Sequence, residues 1–294
     1  MKRLKRPVRD FKCTKDELIE DWESILGLKQ KALEGNDNSF KYLRNIYVKG
    51  RDLAACVSYF YPELTGIQDE CLFLSAESMV ADLALVHGDH KKLLLGNQPI
   101  QFQTSKFKRN NLTNLSTWMN ALFLNAICRR SRGLAQLTRM NLDLLRPEAA
   151  VRHPPQLEKK IAAFQAFARN DPQVGKKLVE AQHATDPRLN QGFETEFILA
   201  FDVFHIHLLA LLIRGEEQEF EDVLYQALEA HHDYWKIENA ESVSSDAFLS
   251  FPLIALAGIA YNRGMRFEID SEYLPMRLVR GEFDFSESNR TMNK

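Results

Sequence analysis

The sequence predicts an all-α fold: a multi-helix array of packed antiparallel helices, with at most a minor extended segment near the C-terminus. Three observations point there. Apolar residues recur at three- and four-residue spacing through most of the 294 positions. Glycines close the periodic stretches at Gly35, Gly88, Gly192, Gly215 and Gly264, where a left-handed residue is least costly. Strand patterns are scarce, limited to an extended Pro99–Thr104 and an alternating Met265–Ile269 before the Tyr273–Pro275 turn.

The helices follow in order. Thr14 and Glu17 form a capping box, in which each side chain satisfies the other's free backbone donor, so a helix should run from Lys15 to Leu33. Periodicity then predicts helices over Ser39–Phe60, Gln68–His87, Leu112–Arg130 and Gly133–Leu145. Five of the ten prolines (Pro147, Pro154, Pro155, Pro172 and Pro187) fall between Leu145 and Arg188. Proline fixes φ and removes a donor, so this is the expected joint between two sets of helices. Residues 1–150 form a basic N-terminal helical half and 151–294 an acidic C-terminal half, expected to pack as one compact unit. The second half continues with Pro154–Arg169, Pro172–Gln182, Phe193–Ile213, Glu217–Trp235 and Asp246–Asn262.

The helix at Glu217–Trp235 is strongly amphipathic. At about 100° per residue, Phe220, Val223, Leu224, Ala227, Leu228, His231, Tyr234 and Trp235 share one face. Asp222, Glu229 and Asp233 fall nearly opposite, and Glu216, Glu217, Glu219 and Glu221 crowd the N-terminal end, where the macrodipole favours carboxylates. The apolar side reads as core, Trp235, Tyr234 and His231 included. The acidic residues are the candidate binding surface, within a wider acidic region from Glu216 to Asp246.

Charge supports that division. The chain carries 38 Lys+Arg against 40 Asp+Glu, which looks neutral. From Phe193 to Lys294, however, 19 acidic residues face 8 basic ones, a net of −11, which leaves +9 on the first 192 residues. Such asymmetry is a signal for a charged partner meeting one half of the molecule. At 45% hydrophobic residues the chain is too apolar for disorder. Cys13, Cys56, Cys71 and Cys128 form no CxxC pair and suit a reducing cytosol, so a cytoplasmic location is expected. The basic start, Met1 to Lys12, leads into no apolar run and does not read as a signal peptide. Phe197–Ile213 is 17 residues long, interrupted by Asp202, His205 and His207. It is short of the roughly 20 apolar residues a bilayer needs, so a buried helix and no membrane partner are expected.

Familiar chemistry is missing. No two of the 13 glycines are separated by a single residue, which removes the GxGxxG and Walker loops that cradle phosphate. GxSxG and HExxH are absent too. His205 and His207 sit two apart on a helix and point away from each other, so they cannot share an ion; Asp202 is the expected partner of His205 one turn on. His87-Gly-Asp-His90 is a weak loop-metal pattern. Glu180-x-x-His183 and Glu229-x-x-His232 match the spacing of di-iron bundles, but Glu229 faces away from the apolar side. Basic clusters at Lys106–Arg109 and Arg129–Arg132 are short, and the acidic half would repel a polyanion. No catalytic residue, metal, cofactor or nucleic-acid partner is therefore expected.

Several segments, taken in order, resemble the immunity protein 49 family of bacterial polymorphic toxin systems. They are Trp118 to Arg130, the Leu142-Asp-Leu-Leu-Arg-Pro147 stretch, Ala184-Thr-Asp-Pro187, Phe220 to Trp235, and Ala255–Val279 with Asp270-Ser-Glu-Tyr-Leu-Pro275 at its heart. The resemblance runs from about residue 110 to 281. Arg130 stands where the family is often acidic, so no role is carried to it. The resemblance implies a helical cytoplasmic protein that binds and blocks a toxin encoded by an adjacent gene, with no catalytic residues and with homodimerisation left open. A toxin acting on nucleic acid or nucleotides would present a basic cleft to the acidic face. Two other readings stand beside it: a helical adaptor or scaffold in another pathway, and a di-metal helical enzyme using the Glu-x-x-His pairs.

Overall fold

A computed structural model describes residues 4–6, 13–35, 39–88, 93–100, 113–145, 154–191, 195–237 and 244–284. The described residues form an all-α array of packed helices. They divide into two compact units, neither of them a single stretch of chain. One comprises Met1–Pro7, Pro147–Val243 and Ser250–Arg280; the other comprises Val8–Arg146, Ser244–Leu249 and Gly281–Lys294.

In the unit containing Val8–Arg146, α1 (Lys15–Leu33) opens on the capping box, with the Thr14 amide donating to Glu17 Oε2 at 2.7 Å and the Glu17 amide to Thr14 Oγ1 at 3.3 Å. It packs on α2 (Ser39–Phe60), which packs on α3 (Thr65–Val86). α3 is buried on nearly every side, as expected of a helix with little amphipathic contrast. Leu94–Leu95 (β1) and Gln98–Pro99 (β2) form a small antiparallel hairpin, turned by Gly96 and Asn97 at φ 59° and 61°. Both central residues are left-handed, as a tight two-residue turn requires. The rest of the extended Pro99–Thr104 expectation, beyond Ile100, lies outside the described residues, as do His90 and Lys106–Arg109.

α4 (Leu115–Ile127) starts later than periodicity suggests because the Asn114 side chain caps it, accepting from the Ser116 and Thr117 amides at 2.9 and 3.2 Å. It ends short of Arg130 because Arg129 turns left-handed at φ 52°. α5 (Ser131–Arg139) stops where Met140 becomes extended, and a separate 3₁₀ turn, Leu142–Leu145, takes up the remainder of the expected helix. Asn125 ties these helices to α3, donating to Ala76 O at 3.1 Å and Ala121 O at 2.8 Å. Gly133 passes so close that a Cβ there would overlap the Asn125 amide.

The other unit begins with α6 (Pro155–Ala168) and α7 (Val174–Ala184), packed on each other. α8 (Thr195–Phe197) passes through a π-helical turn at Ile198–Asp202 into α9 (Val203–Arg214), giving one helix of 20 residues. That helix is long and apolar enough to cross a bilayer by length and composition, where the sequence suggested 17 residues and too short a run. It contacts α7, α10 (Glu217–Ile237) and α11 (Phe251–Asn262). α11 starts five residues later than expected. Ser244 caps a 3₁₀ turn at Ser245–Ala247 before it, and Pro252 sits in its first turn.

After α11, Met265, Phe267 and Ile269 are buried while Arg266 and Glu268 are exposed. The predicted alternation is thus present, but the segment pairs with no strand among the described residues. It ends in a single parallel bridge, Leu4 with Ser271, where the Leu4 amide donates to Asp270 O and the Glu272 amide to Leu4 O, both at 3.1 Å. α12 (Met276–Arg280) then follows Pro275, a short helix that periodicity had missed.

Candidate functional site

The sequence nominates the acidic residues of α10, and their position depends on what lies beneath that helix. Phe220, Val223, Leu224, Ala227, Leu228, His231 and Trp235 are buried, as the helical wheel requires, and Tyr234 is half-buried. Under the C-terminal half is an aromatic bed. Phe201 meets His231 edge-on at 5.5 Å and Tyr234 at 4.9 Å, and Tyr273 meets His231 at 4.9 Å. Phe220 contacts Phe267 at 5.7 Å at the other end. A helix bedded along its length in packed side chains presents its outer face as a rigid surface.

That outer face is acidic. Glu217, Glu219, Asp222, Glu229 and Asp233 are exposed, with Glu216 and Glu221 half-buried. Glu216 pairs with Arg214 at 2.9 Å. The Arg214 hydrogen bond, helped by one with Glu219, holds the Glu216 carboxyl below its usual range. Glu219 Oε1 stands 4.0 Å from His207 Nε2, and Gln218 donates to Asp222 Oδ1 at 3.4 Å. Among the described residues, Glu217, Glu221, Glu229 and Asp233 have no ion-pair or hydrogen-bond partner, and the exposed three, Glu217, Glu229 and Asp233, turn their charge to solvent. Six of the seven residues lie on α10, and Glu216 immediately precedes it. Asp246, the far end of the predicted acidic region, belongs to the other unit, and burial raises its pKa.

A second polar cluster was not visible in the sequence. At the π-turn, Asp202 is buried and pairs with the buried Lys160 of α6, while the Gln156 amide donates to Asp202 Oδ2 at 3.4 Å. His205, the expected partner, stands 3.9 Å away and is not its main contact. Burial, with the nearby Lys160 charge and His231, pushes the His205 pKa well below its usual value, so His205 is neutral. Asp202 takes the cation because a buried carboxylate needs a full opposite charge more than it needs a neutral ring. The missed signal was Gln156 and Lys160 on the same four-residue stripe as Phe164, two polar groups on an apolar face.

The metal-like spacings do not converge. Glu180 pairs with Lys159 at 2.9 Å while His183 is exposed. Glu229 is exposed, and the His232 ring meets the Tyr273 hydroxyl at 3.1 Å. Both ring nitrogens of His87 lie 2.9 Å from carbonyl oxygens, those of Leu83 and Asn141. Among the described residues no three His, Cys, Asp or Glu side chains are grouped to hold a metal ion. In the Arg129–Arg132 cluster, Arg130 pairs with Glu77 and lies over the Phe73 ring at 5.4 Å, and Arg129 donates to Ile127 O at 2.6 Å. These two cations are used inside the fold.

The segments that carried the resemblance have architectural roles. Trp118 is buried and donates through Nε1 to Leu137 O at 3.0 Å. In the Ala184–Pro187 stretch, Asp186 accepts from the Arg188 amide at 2.9 Å, and the buried Asn190 donates to Ala184 O at 2.7 Å. Tyr273 is fully buried. Among curated proteins and among solved structures, none matches the chain. The family model of immunity protein 49 matches residues 69–278, beginning in α3, about 40 residues before the resemblance read from the sequence. With most of its length matched, from α3 to α12, the chain belongs to the immunity protein 49 family.

Proposed function

We propose that this protein binds and neutralises a cognate antibacterial toxin encoded by an adjacent gene, acting in the cytoplasm as a stoichiometric inhibitor without turnover. The observation that carries this reading is the family match over residues 69–278. The acidic face formed by Glu216, at the entry to α10, and by Glu217, Glu219, Glu221, Asp222, Glu229 and Asp233 on it contributes to the interface. A toxin that is a nuclease or a nucleotide-modifying effector has a basic substrate cleft, and exposed carboxylates steer such a cleft into contact and raise the association rate. Support comes from the exposure of Glu217, Glu219, Asp222, Glu229 and Asp233 and from the packing that fixes the opposite side of their helix.

The test is growth rescue. Cells expressing the adjacent gene's product should stop growing, and co-expression of this chain should restore growth. A neighbour that is toxic and stays toxic in the presence of the folded chain contradicts the proposal.

A further inference from the structure

The helix running from α8 into α9 is half covered. It is strongly apolar, yet only about half of its length is fully buried, and Phe197 and Leu199 are exposed. The inner side, with Phe201, His205, Leu208, Leu209 and Leu212, is core. Leu199, Val203, His207 and Ala210 recur at three- and four-residue spacing along the outer side. Leu199 is 47% exposed and the other three are part-exposed. Leu199, Val203 and Ala210 thus form a partly open apolar line with the His207 imidazole set into it, and apolar surface left open beside charged groups is where a partner can be held.

The rim of the stripe says what covers it. Glu219 of α10 reaches His207 at 4.0 Å, and Glu216 adjoins the stripe's end through Arg214 at 2.9 Å. Glu196, exposed, stands one turn before Leu199. Among the described residues, Arg214 is the one cation beside the three carboxylates, so the rim is acidic on balance; a second copy of the chain would set one acidic rim against another, and anionic headgroups would meet the same repulsion. A basic protein surface meets none. From this charge complementarity we infer that the Leu199–Ala210 stripe is the apolar centre of the toxin-docking surface, and that the toxin presents an apolar projection ringed by Lys and Arg. The inference rests on the proposed function. It moves the centre of binding from the acids of α10 to the neighbouring helix and makes those acids the rim. Buried apolar anchors carry most of the affinity in such an arrangement, while rim charges govern the rate.

The full-length chain is titrated against a catalytically inactive form of the adjacent gene's product. Leu199→Lys and Val203→Lys should each weaken the equilibrium affinity about tenfold or more, Leu199→Ala less. Val48→Lys, at a 41% exposed position of α2 in the other unit, should bind as the unaltered chain does. Circular-dichroism melting of each variant confirms that it is folded. Parallel arms measure sedimentation of the chain alone and its flotation with phosphatidylglycerol vesicles. Unchanged affinity in folded Leu199→Lys overturns the inference while leaving the proposed function standing. So does self-association, or vesicle binding, that Leu199→Lys abolishes. An unaltered chain that fails to bind the adjacent product contradicts the proposed function and takes the inference with it.

Discussion

The His232 ring nitrogen Nδ1 lies 3.1 Å from the Tyr273 hydroxyl, which ties α10 to the segment that follows α11. Tyr273 is also held at its backbone, where its carbonyl accepts from the Ser250 amide at 3.2 Å. One fully buried residue thus connects the helix bearing the acidic face, through its hydroxyl, to the start of α11, through its carbonyl. Tyr273→Phe keeps the packing and loses the hydroxyl, so it should lower unfolding free energy by about 1 kcal/mol. Tyr273→Ala should cost about 3–5 kcal/mol through the cavity it leaves. Urea denaturation measures both.

Asp82 of α3 gives the stability a defined pH dependence. Burial pushes its pKa to about 6 from the ordinary 3.8, against the opposing effects of the Thr113 hydrogen bond, at 2.8 Å, and Arg44. The folded chain therefore keeps a proton that the unfolded chain has lost. The stability linked to this group is fully present below about pH 4 and disappears as pH rises through about 6. Asp82→Asn can still accept from Thr113. It should stabilise the protein at pH 7 by up to about 3 kcal/mol and change little at pH 4. Denaturation midpoints across that range supply the check; an equal effect at both ends would contradict the assignment.

The Lys160–Asp202 pair should behave as a unit. Lys160→Met strands a buried carboxylate at the π-turn and should cost about 3–5 kcal/mol. Combining it with Asp202→Leu should recover most of that loss, because no charge is then left without its partner. A double-mutant cycle reads the coupling directly, and simple additivity of the two substitutions would show that the pair is not coupled.

Asp222→Lys, Glu229→Lys and Asp233→Lys together test the acidic face. The positions are exposed, so folding stability should stay within about 0.5 kcal/mol per site. Association with the toxin should slow, and its salt dependence should weaken. Stopped-flow rates at low and high salt separate these outcomes. A triple variant that associates as fast as the unaltered chain removes the acidic face from the interface.

Much of the fold was legible because helices announce themselves locally. Periodicity and the Thr14 cap placed α1 and α2 to the residue, and the wheel placed the core side of α10 correctly for Trp235 and His231, while Tyr234, at its edge, is only half-buried. The misplaced ends have local causes that propensity does not register: the Asn114 cap, the left-handed Arg129 and the extended Met140. Met265–Ile269 has a strand's alternation because an extended segment lies on the core, but a strand also needs a neighbour, and sequence pattern does not supply one. The candidate surface was half legible. Charge on α10 shows in a helical wheel; the exposure of Leu199 does not, because an apolar helix reads as buried until its neighbours are placed. The Lys160–Asp202 pair was hidden for the same reason, its members being 42 residues apart.

The most direct measurement is a titration of the adjacent gene's purified product with this chain while the toxin's own activity is followed. Activity should fall linearly and vanish at one chain per toxin molecule, with the chain recovered unmodified in the complex. Activity that persists at several-fold molar excess of folded chain, with no complex in size-exclusion chromatography, would contradict the account.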